Sequence, residues 1–320
     1  MHIETLRTFC DLVESGSFRE AARLNFVSQS AVSQQMKALE RRYGRVLLER
    51  GGRRGVVPTE AGRVFHAECR ELLDRFRRLE ERLKTPSGAI AGVVRIATVY
   101  SIGLHGLPPY VARFVRTHPQ VKVDVEYVRT DKVCDACLAG TIDFGIVALP
   151  VRRANLTLVP WRRETLVLVC PPGHPLARRR KVRVSDLTRE RFIAFEKDIP
   201  TRKTIDSFLK AHRATVKPVM QLDNIETIKR SVEVGIGVSI LPDATVATEV
   251  AGGVLSTAGF VEGPFSRETG IVYGRRRQLS PAAQAFIRLL GAGPTASATR
   301  QPSTTAASVV SSRNVNVSRK

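Results

Sequence analysis

From Phe65 onward the apolar residues of one segment recur as Phe65, Cys69, Leu72, Phe76, Leu79 and Leu83, with arginine and glutamate crowding the positions between. Steps alternating between four and three put a single narrow apolar stripe on a helix that is polar around the rest of its girth. Such a rod cannot bury its stripe alone. The spacing therefore predicts a partner helix, most economically a second copy of the chain; packing on the chain's own domain is the alternative. The rod also divides the sequence at residues 59–90, leaving a short piece before it and a long one after. Thr85-Pro86-Ser87-Gly88 stops it and reads as a hinge.

Ahead of the rod, the pattern is that of three short helices. Leu6, Phe9, Leu12 and Val13 share a helical face that Ser15-Gly16 terminates. Ser17 is placed to cap a second helix, with Glu20 as the reciprocal member of a capping box and Ala21, Ala22 and Leu24 as the buried face. After a break at Asn25-Phe26-Val27, Ser28 or Ser30 caps a third helix. Val32, Met36 and Leu39 form its inward stripe, which leaves Gln29, Ser30, Ser33, Gln34 and Lys37 with polar reach, and Gly44 ends it. Gly51-Gly52-Arg53-Arg54-Gly55-Val56-Val57-Pro58 then has the composition of a tight two-stranded turn with arginines at its tip, and Thr59 caps the rod.

Three short helices followed by a glycine-arginine hairpin describe a winged helix-turn-helix over residues 1–58. Its third helix is narrow enough for the major groove of double-stranded DNA, where side-chain amides and hydroxyls distinguish base edges. Gln29 and Gln34 are the candidates for base contacts. Ser28, Ser30 and Ser33 suit phosphates or short base contacts, Lys37 extends the same polar surface, and Arg50, Arg53 and Arg54 can grip the backbone or the minor groove. For any one of these residues, a solvated helix face is the competing explanation.

Beyond the hinge the pattern becomes α/β over residues 91–290. Val93–Ala97, Val121–Val128 and Ile142–Val147 read as strands, separated by helices near Leu107–Arg116 and Lys132–Ala139. A second unit follows, with a strand at Leu166–Val169, a helix near Lys203–Ala211, and the segment Ile225–Val234 before the run Gly235–Pro242. A strand at Gly270–Tyr273 and a helix opened by Ser280-Pro281 close the fold. Continuous apolar runs alternating with helices predict mostly parallel strands buried on both faces. Residues 291–320, rich in small and polar side chains, read as a mobile tail.

Composition narrows the classes. Charged residues at 25% and apolar ones at 43% are ordinary for a globular chain and too apolar for general disorder. No run of 18 apolar residues occurs, so a membrane span is not expected, and the first residues lack the basic-then-apolar pattern of an export signal. Five cysteines, few and odd in number, suit a reduced cytoplasmic protein. The formal net charge of +21 suggests a polyanionic partner, yet it does not locate one: residues 1–58 carry ten basic and six acidic side chains, residues 91–290 thirty and eighteen. The cluster Arg178-Arg179-Arg180-Lys181 reads as a solvated turn.

The first sixty residues resemble the DNA-binding region of the LysR-type transcriptional regulators. The resemblance rests on Phe9, Gly16-Ser17-Phe18, Ala21-Ala22, Leu24, Ser28-Gln29-Ser30-Ala31-Val32-Ser33, Lys37-Ala38-Leu39-Glu40, Leu48-Glu49-Arg50 and Pro58-Thr59-Glu60-Ala61-Gly62. It continues through Leu138-Ala139-Gly140-Thr141-Ile142-Asp143 and Gly235–Pro242 and omits only the tail. Ser30 stands where proline is common and Gln34 where arginine is common, which leaves the target sequence open. The resemblance implies a linker helix that dimerises, assembly to a tetramer, contact with RNA polymerase, and an effector domain of two Rossmann-like subdomains resembling periplasmic binding proteins. Subdomain I would span about 91–160 and 266–290, subdomain II about 161–265, joined by crossover strands around a small molecule.

Local chemistry within that implied cleft points to an anionic metabolite. Tyr100-Ser101 follows a strand end and opens a helix, Thr130 follows the second strand, and Thr201-Arg202 opens the helix of the second unit, so hydroxyls and free amides gather there. Each could equally be an ordinary helix cap. Cys134-x-x-Cys137 invites a thiol-switch reading, against which stands packing in an amphipathic helix; a zinc site would need a second ligand pair that the sequence lacks. No catalytic triad, nucleophile elbow or dinucleotide fingerprint occurs, so neither an enzyme nor a cofactor is expected. A solute-binding transport component would use the α/β half alone, leaving residues 1–60 without a role.

Overall fold

The computed structural model describes residues 2–50, 55–84, 90–150 and 152–292. The predicted hinge at Thr85–Gly88, the arginines Arg53 and Arg54 and the tail from 293 lie outside them.

Helices α1 (Ile3–Ser15), α2 (Phe18–Leu24) and α3 (Gln29–Tyr43) close on one another through Phe9, Leu12, Val32, Met36 and Leu39, all buried. Gly16 takes a φ of 63° to end α1, a conformation that costs glycine least. Ser17 caps α2, accepting from the Glu20 N–H at 3.3 Å, but the capping box is only half made: the Glu20 carboxylate accepts from Arg23 at 2.6 Å instead. Leu24, expected inside, is 44% exposed. The helix stops there, and Asn25 turns inward in its place, donating to the Asp11 carboxylate at 2.7 Å and the Ala21 carbonyl at 2.9 Å. Of the two candidate caps for α3, Ser28 is the one used, accepting from the Ala31 N–H at 3.1 Å.

Strands β1 (Leu48–Arg50) and β2 (Val56–Pro58) pair antiparallel as the stem of the wing. Helix α4 (Glu60–Lys84) follows, capped by Thr59. Gly62 is dictated by crowding, since a Cβ there would run into the Leu47 carbonyl.

The stripe along α4 divides in two. Phe65 packs edge-on against Phe9 at 5.1 Å and meets Tyr43 at 5.2 Å, and Cys69 is 1% exposed beside Cys10 in the same core. These first two members, read from the spacing as part of a seam for a partner helix, are instead used up inside the chain, because α4 starts against α1. Leu72, Phe76, Leu79 and Leu83 project beyond that core and stay exposed.

In the larger half, β3 (Gly92–Thr98), β4 (Val121–Tyr127) and β5 (Phe144–Ala148) run parallel in the order β4-β3-β5. Helices α5 (Tyr100–His105), α6 (Pro108–Thr117) and α7 (Thr130–Ala139) connect them. Strand β6 (Leu156–Cys170) is 15 residues long and serves both subdomains. Up to Thr165 it pairs with β12 (Ser266–Gly274); from Leu166 it pairs with β10 (Ser239–Pro242) and β11 (Ser256–Phe260). The second subdomain adds β7 (Lys181–Val182), β8 (Phe192–Phe195), β9 (Pro218–Leu222), α8 (Pro200–Ala211), α9 (Ile225–Glu233) and α10 (Ala247–Ala251). Helix α11 (Pro281–Ala292), capped by Ser280, returns to the first subdomain, where Phe286 lies 4.6 Å from Phe114.

The result is a winged helix-turn-helix, a linker helix and two Rossmann-like subdomains with separate cores, joined by β6 and β12. The sheet is mixed rather than mostly parallel: β12 runs antiparallel to both β5 and β6, and β6 antiparallel to β10 and β11. A strand buried on both faces shows the same unbroken apolar run whichever way it points, so its direction leaves no trace in the pattern. Among the described residues no helix is long and apolar enough to cross a membrane.

Candidate functional site

Two sites emerge, one in the helix-turn-helix part and one in the α/β half. On α3, burial of Val32, Met36 and Leu39 fixes the helix so that Gln29, Ser30, Gln34 and Lys37 face solvent, with Ser33 half-buried beside them. Ser28 precedes them as cap, its hydroxyl 2.9 Å from that of Ser30. The wing is tied to the same helix: the Glu40 carboxylate accepts from the Leu47 and Leu48 N–H groups at 2.8 and 3.2 Å. Arg50 ends the strand that this bond positions. The sequence-predicted residues Ser28, Gln29, Ser30, Gln34 and Lys37 are therefore exposed, with Ser33 partly covered, on a helix tied to the wing stem.

The second site is a cleft of about 350 Å³ between the two subdomains. Tyr100, Ser101, Thr130 and Thr201 all line it. Arg202 does not. One step along α8 turns its side chain away from Thr201, and it is buried where Nε donates to Asp206 at 2.8 Å and Nη1 to the Phe195 carbonyl at 2.7 Å. Its work is to hold α8 to its neighbours rather than to meet a ligand.

A residue that no sequence pattern marks also lines the cleft. Arg267, on β12 and nearly buried, donates from Nη1 to the Thr201 hydroxyl and from Nη2 to the Ser101 hydroxyl, both at 2.8 Å. Its Nε meets Glu164 at 2.9 Å, the residue opposite it across the β12–β6 pair. One guanidinium thus fastens the first turns of α5 and α8, one from each subdomain. No local motif announces it, since its hydroxyl partners lie 66 and 166 residues away along the chain.

Two further contacts cross between the subdomains. Arg129 meets Glu196 and Asp198, with Asp223 at 3.9 Å. His105 on α5 reaches Glu226 on α9 at 2.7 Å. The lining of the cleft balances Arg129, Arg153 and Arg267 against Asp131, Asp198 and Asp223. An anion would be favoured by the amino ends of α7 and α8, where Thr130 and Thr201 sit, more than by surplus charge.

Cys134 lines the cleft and Cys137 lies behind it, both buried. Burial raises both thiols, Cys137 to about 12, and the Cys137 thiol donates to the Val272 carbonyl at 3.3 Å. A protonated, enclosed thiol packs well and reacts slowly. Among the described residues no cluster of three histidine, cysteine or acidic side chains could hold a metal.

Known families match the chain over both halves. The bacterial regulatory helix-turn-helix family of lysR type matches residues 3–63, and the LysR substrate binding domain matches residues 87–294. The chain belongs to the LysR family of DNA-binding transcriptional regulators. A RuBisCO operon transcriptional regulator of Allochromatium vinosum is 31% identical over 289 residues, covering 89% of this chain and 95% of that one. A full-length OxyR variant from Pseudomonas aeruginosa superposes with a TM-score of 0.70 at 23% identity, covering 91% of this chain and 97% of that one. The regulatory domain of CcmR from Synechocystis PCC6803, solved in complex with 2-PG, gives a TM-score of 0.58 at 25% identity over 63% of this chain and 96% of that one.

Proposed function

We propose that this regulator responds to a small anionic metabolite bound in the cleft, and that the ligand alters how a dimer, paired further into a tetramer, binds or bends DNA. The observation that carries the reading is the Arg267 bridge. A ligand that takes over the Ser101 or Thr201 hydroxyls, or the guanidinium between them, changes what holds the two subdomains together. It can shift the equilibrium only by binding one cleft geometry better than the other. The related CcmR domain, which holds 2-PG, lends the anionic class its support. The bare stripe of Leu72, Phe76, Leu79 and Leu83 supplies the dimer face. DNA contacts fall to Ser28, Gln29, Ser30, Ser33, Gln34, Lys37, Arg50, Arg53 and Arg54, effector contacts to Tyr100, Ser101, Thr130 and Thr201. RNA polymerase is the further partner, in the cytoplasm, and no catalytic step is assigned to the chain. The thiol-switch alternative has less behind it, because Cys134 and Cys137 are held protonated by burial.

The test is calorimetric and thermal-shift screening of the purified chain against small carboxylates and phosphorylated acids, 2-PG among them. A ligand of the cleft raises the melting temperature in proportion to the logarithm of its concentration, and Thr201→Val abolishes the rise. Binding that survives Thr201→Val together with Ser101→Ala contradicts the reading.

A further inference from the structure

The turn between α2 and α3 carries an exposed aromatic residue that neither the cap chemistry nor the core explains. Phe26 is 96% exposed, beside half-exposed Val27 and Leu24. Its φ is 55°, in the left-handed region where a bulky side chain is strained and where glycine or asparagine is the ordinary choice. The surroundings enforce that conformation: the Val27 N–H bonds the Ala22 carbonyl at 3.1 Å and the Phe26 N–H the Arg23 carbonyl at 3.4 Å. Any residue could make these backbone bonds, so they account for the turn and not for the ring. A phenylalanine here is unfavourable twice, once for the backbone and once for the solvated ring.

What distinguishes the position is its neighbour. Phe26 lies three residues before Gln29, at most about 11 Å away along the chain, and from Phe26 through Ser30 every residue is exposed. The apolar patch is therefore continuous with the amino end of the helix that enters the groove. Among the groups displayed in a major groove, the one an aromatic ring can use is the C5-methyl of thymine, an apolar feature with which phenylalanine makes direct contact.

We propose that Phe26 is a specificity-determining residue that packs on a thymine methyl adjoining the bases read by α3. The inference rests on the DNA contacts proposed above for α3 and adds to them a contact from the preceding turn. It gives the regulator an apolar preference for thymine at one position of each half-site, alongside the polar readout of Gln29 and Gln34. The fixed turn then limits where the ring can lie when it meets the duplex.

The experiment is selection from a randomised double-stranded DNA library with the wild-type chain, Phe26→Ala and Phe26→Leu, followed by titration of the wild-type consensus with each thymine replaced in turn by deoxyuridine. Because the ring is solvated, both variants should melt like the wild type. The expected result is that Phe26→Ala loses a thymine preference at one position per half-site while keeping the rest of the consensus. Replacing that thymine should weaken wild-type binding roughly fourfold per half-site, the value of one methyl group taken from water, and leave Phe26→Ala unchanged; Phe26→Leu should retain part of the effect. Identical consensus sequences for wild type and Phe26→Ala, or equal sensitivity of both to deoxyuridine, would overturn the inference while leaving DNA reading by α3 intact. Failure of the wild type to select any sequence would overturn both.

Discussion

Arg267 and Glu164 face each other across β12 and β6, 2.7 Å apart and both nearly removed from solvent. An ion pair so placed gains little net stability over an apolar pair, but losing Arg267 leaves the buried Glu164 carboxylate only Arg162, at 3.3 Å, as an ionic partner. Arg267→Met should therefore cost about 3 kcal/mol or more of effector-domain stability, and Arg267→Met combined with Glu164→Leu should recover much of it. Denaturant unfolding of the two variants checks this; equal loss in both would show that the charge pairing is not what matters there.

The split stripe on α4 makes a contrasting pair of variants. Leu79→Lys places a charge on the bare part and should convert dimers to monomers in sedimentation velocity without lowering the melting temperature of the winged domain. Cys69→Asp should do the reverse, since that side chain lies inside the domain's own core beside Cys10. There a buried carboxylate without a partner costs several kcal/mol.

Acid should loosen the joint between α1 and α4. Glu14 on α1 accepts from His66 at 3.3 Å and Arg70 at 2.8 Å, both on α4. The hydrogen bond from His66, opposed by partial burial and aided by Arg70, holds its carboxyl below the ordinary value of 4.5. A lowered carboxylate pKa contributes stability that is present above that ordinary value and is lost as the pH falls through the folded one. Stability of the winged domain should fall with pH below about 4.5, and Glu14→Gln should flatten that slope in pH-dependent melts.

DNA contacts should separate by kind. Gln29→Ala is expected to cost about 1–3 kcal/mol at its cognate base and to relax specificity there. Arg53→Ala should weaken all sequences alike and reduce the salt dependence by about one phosphate contact. Competitive binding at several salt concentrations distinguishes the two.

Much of this architecture could be read from the chain because the determining signals are local. Ser17, Ser28, Gly44 and Thr59 mark helix ends through bonds to residues three or four positions away, and the α3 stripe of Val32, Met36 and Leu39 fixes which face stays polar. The cleft hydroxyls were legible for the same reason, as residues at strand-to-helix junctions. What escaped depends on long-range geometry. Arg267 gains its role only when β12 brings it opposite Glu164 and between two helices from different subdomains. Arg202, one position from Thr201, had the right chemistry and faces the wrong way. The short strands β7, β8, β9 and β11 carry too few residues to show a period, and their pairing is made by the surrounding core.

The most direct trial of the account is hydroxyl-radical footprinting of the full chain on the DNA upstream of its own gene, with and without each compound of an organic-anion panel. One compound should change the protected length or the site of bending, and Ser101→Ala with Thr201→Val should bind the same DNA but no longer respond. Footprints that stay the same across the panel, or a response that persists in the double variant, would contradict it.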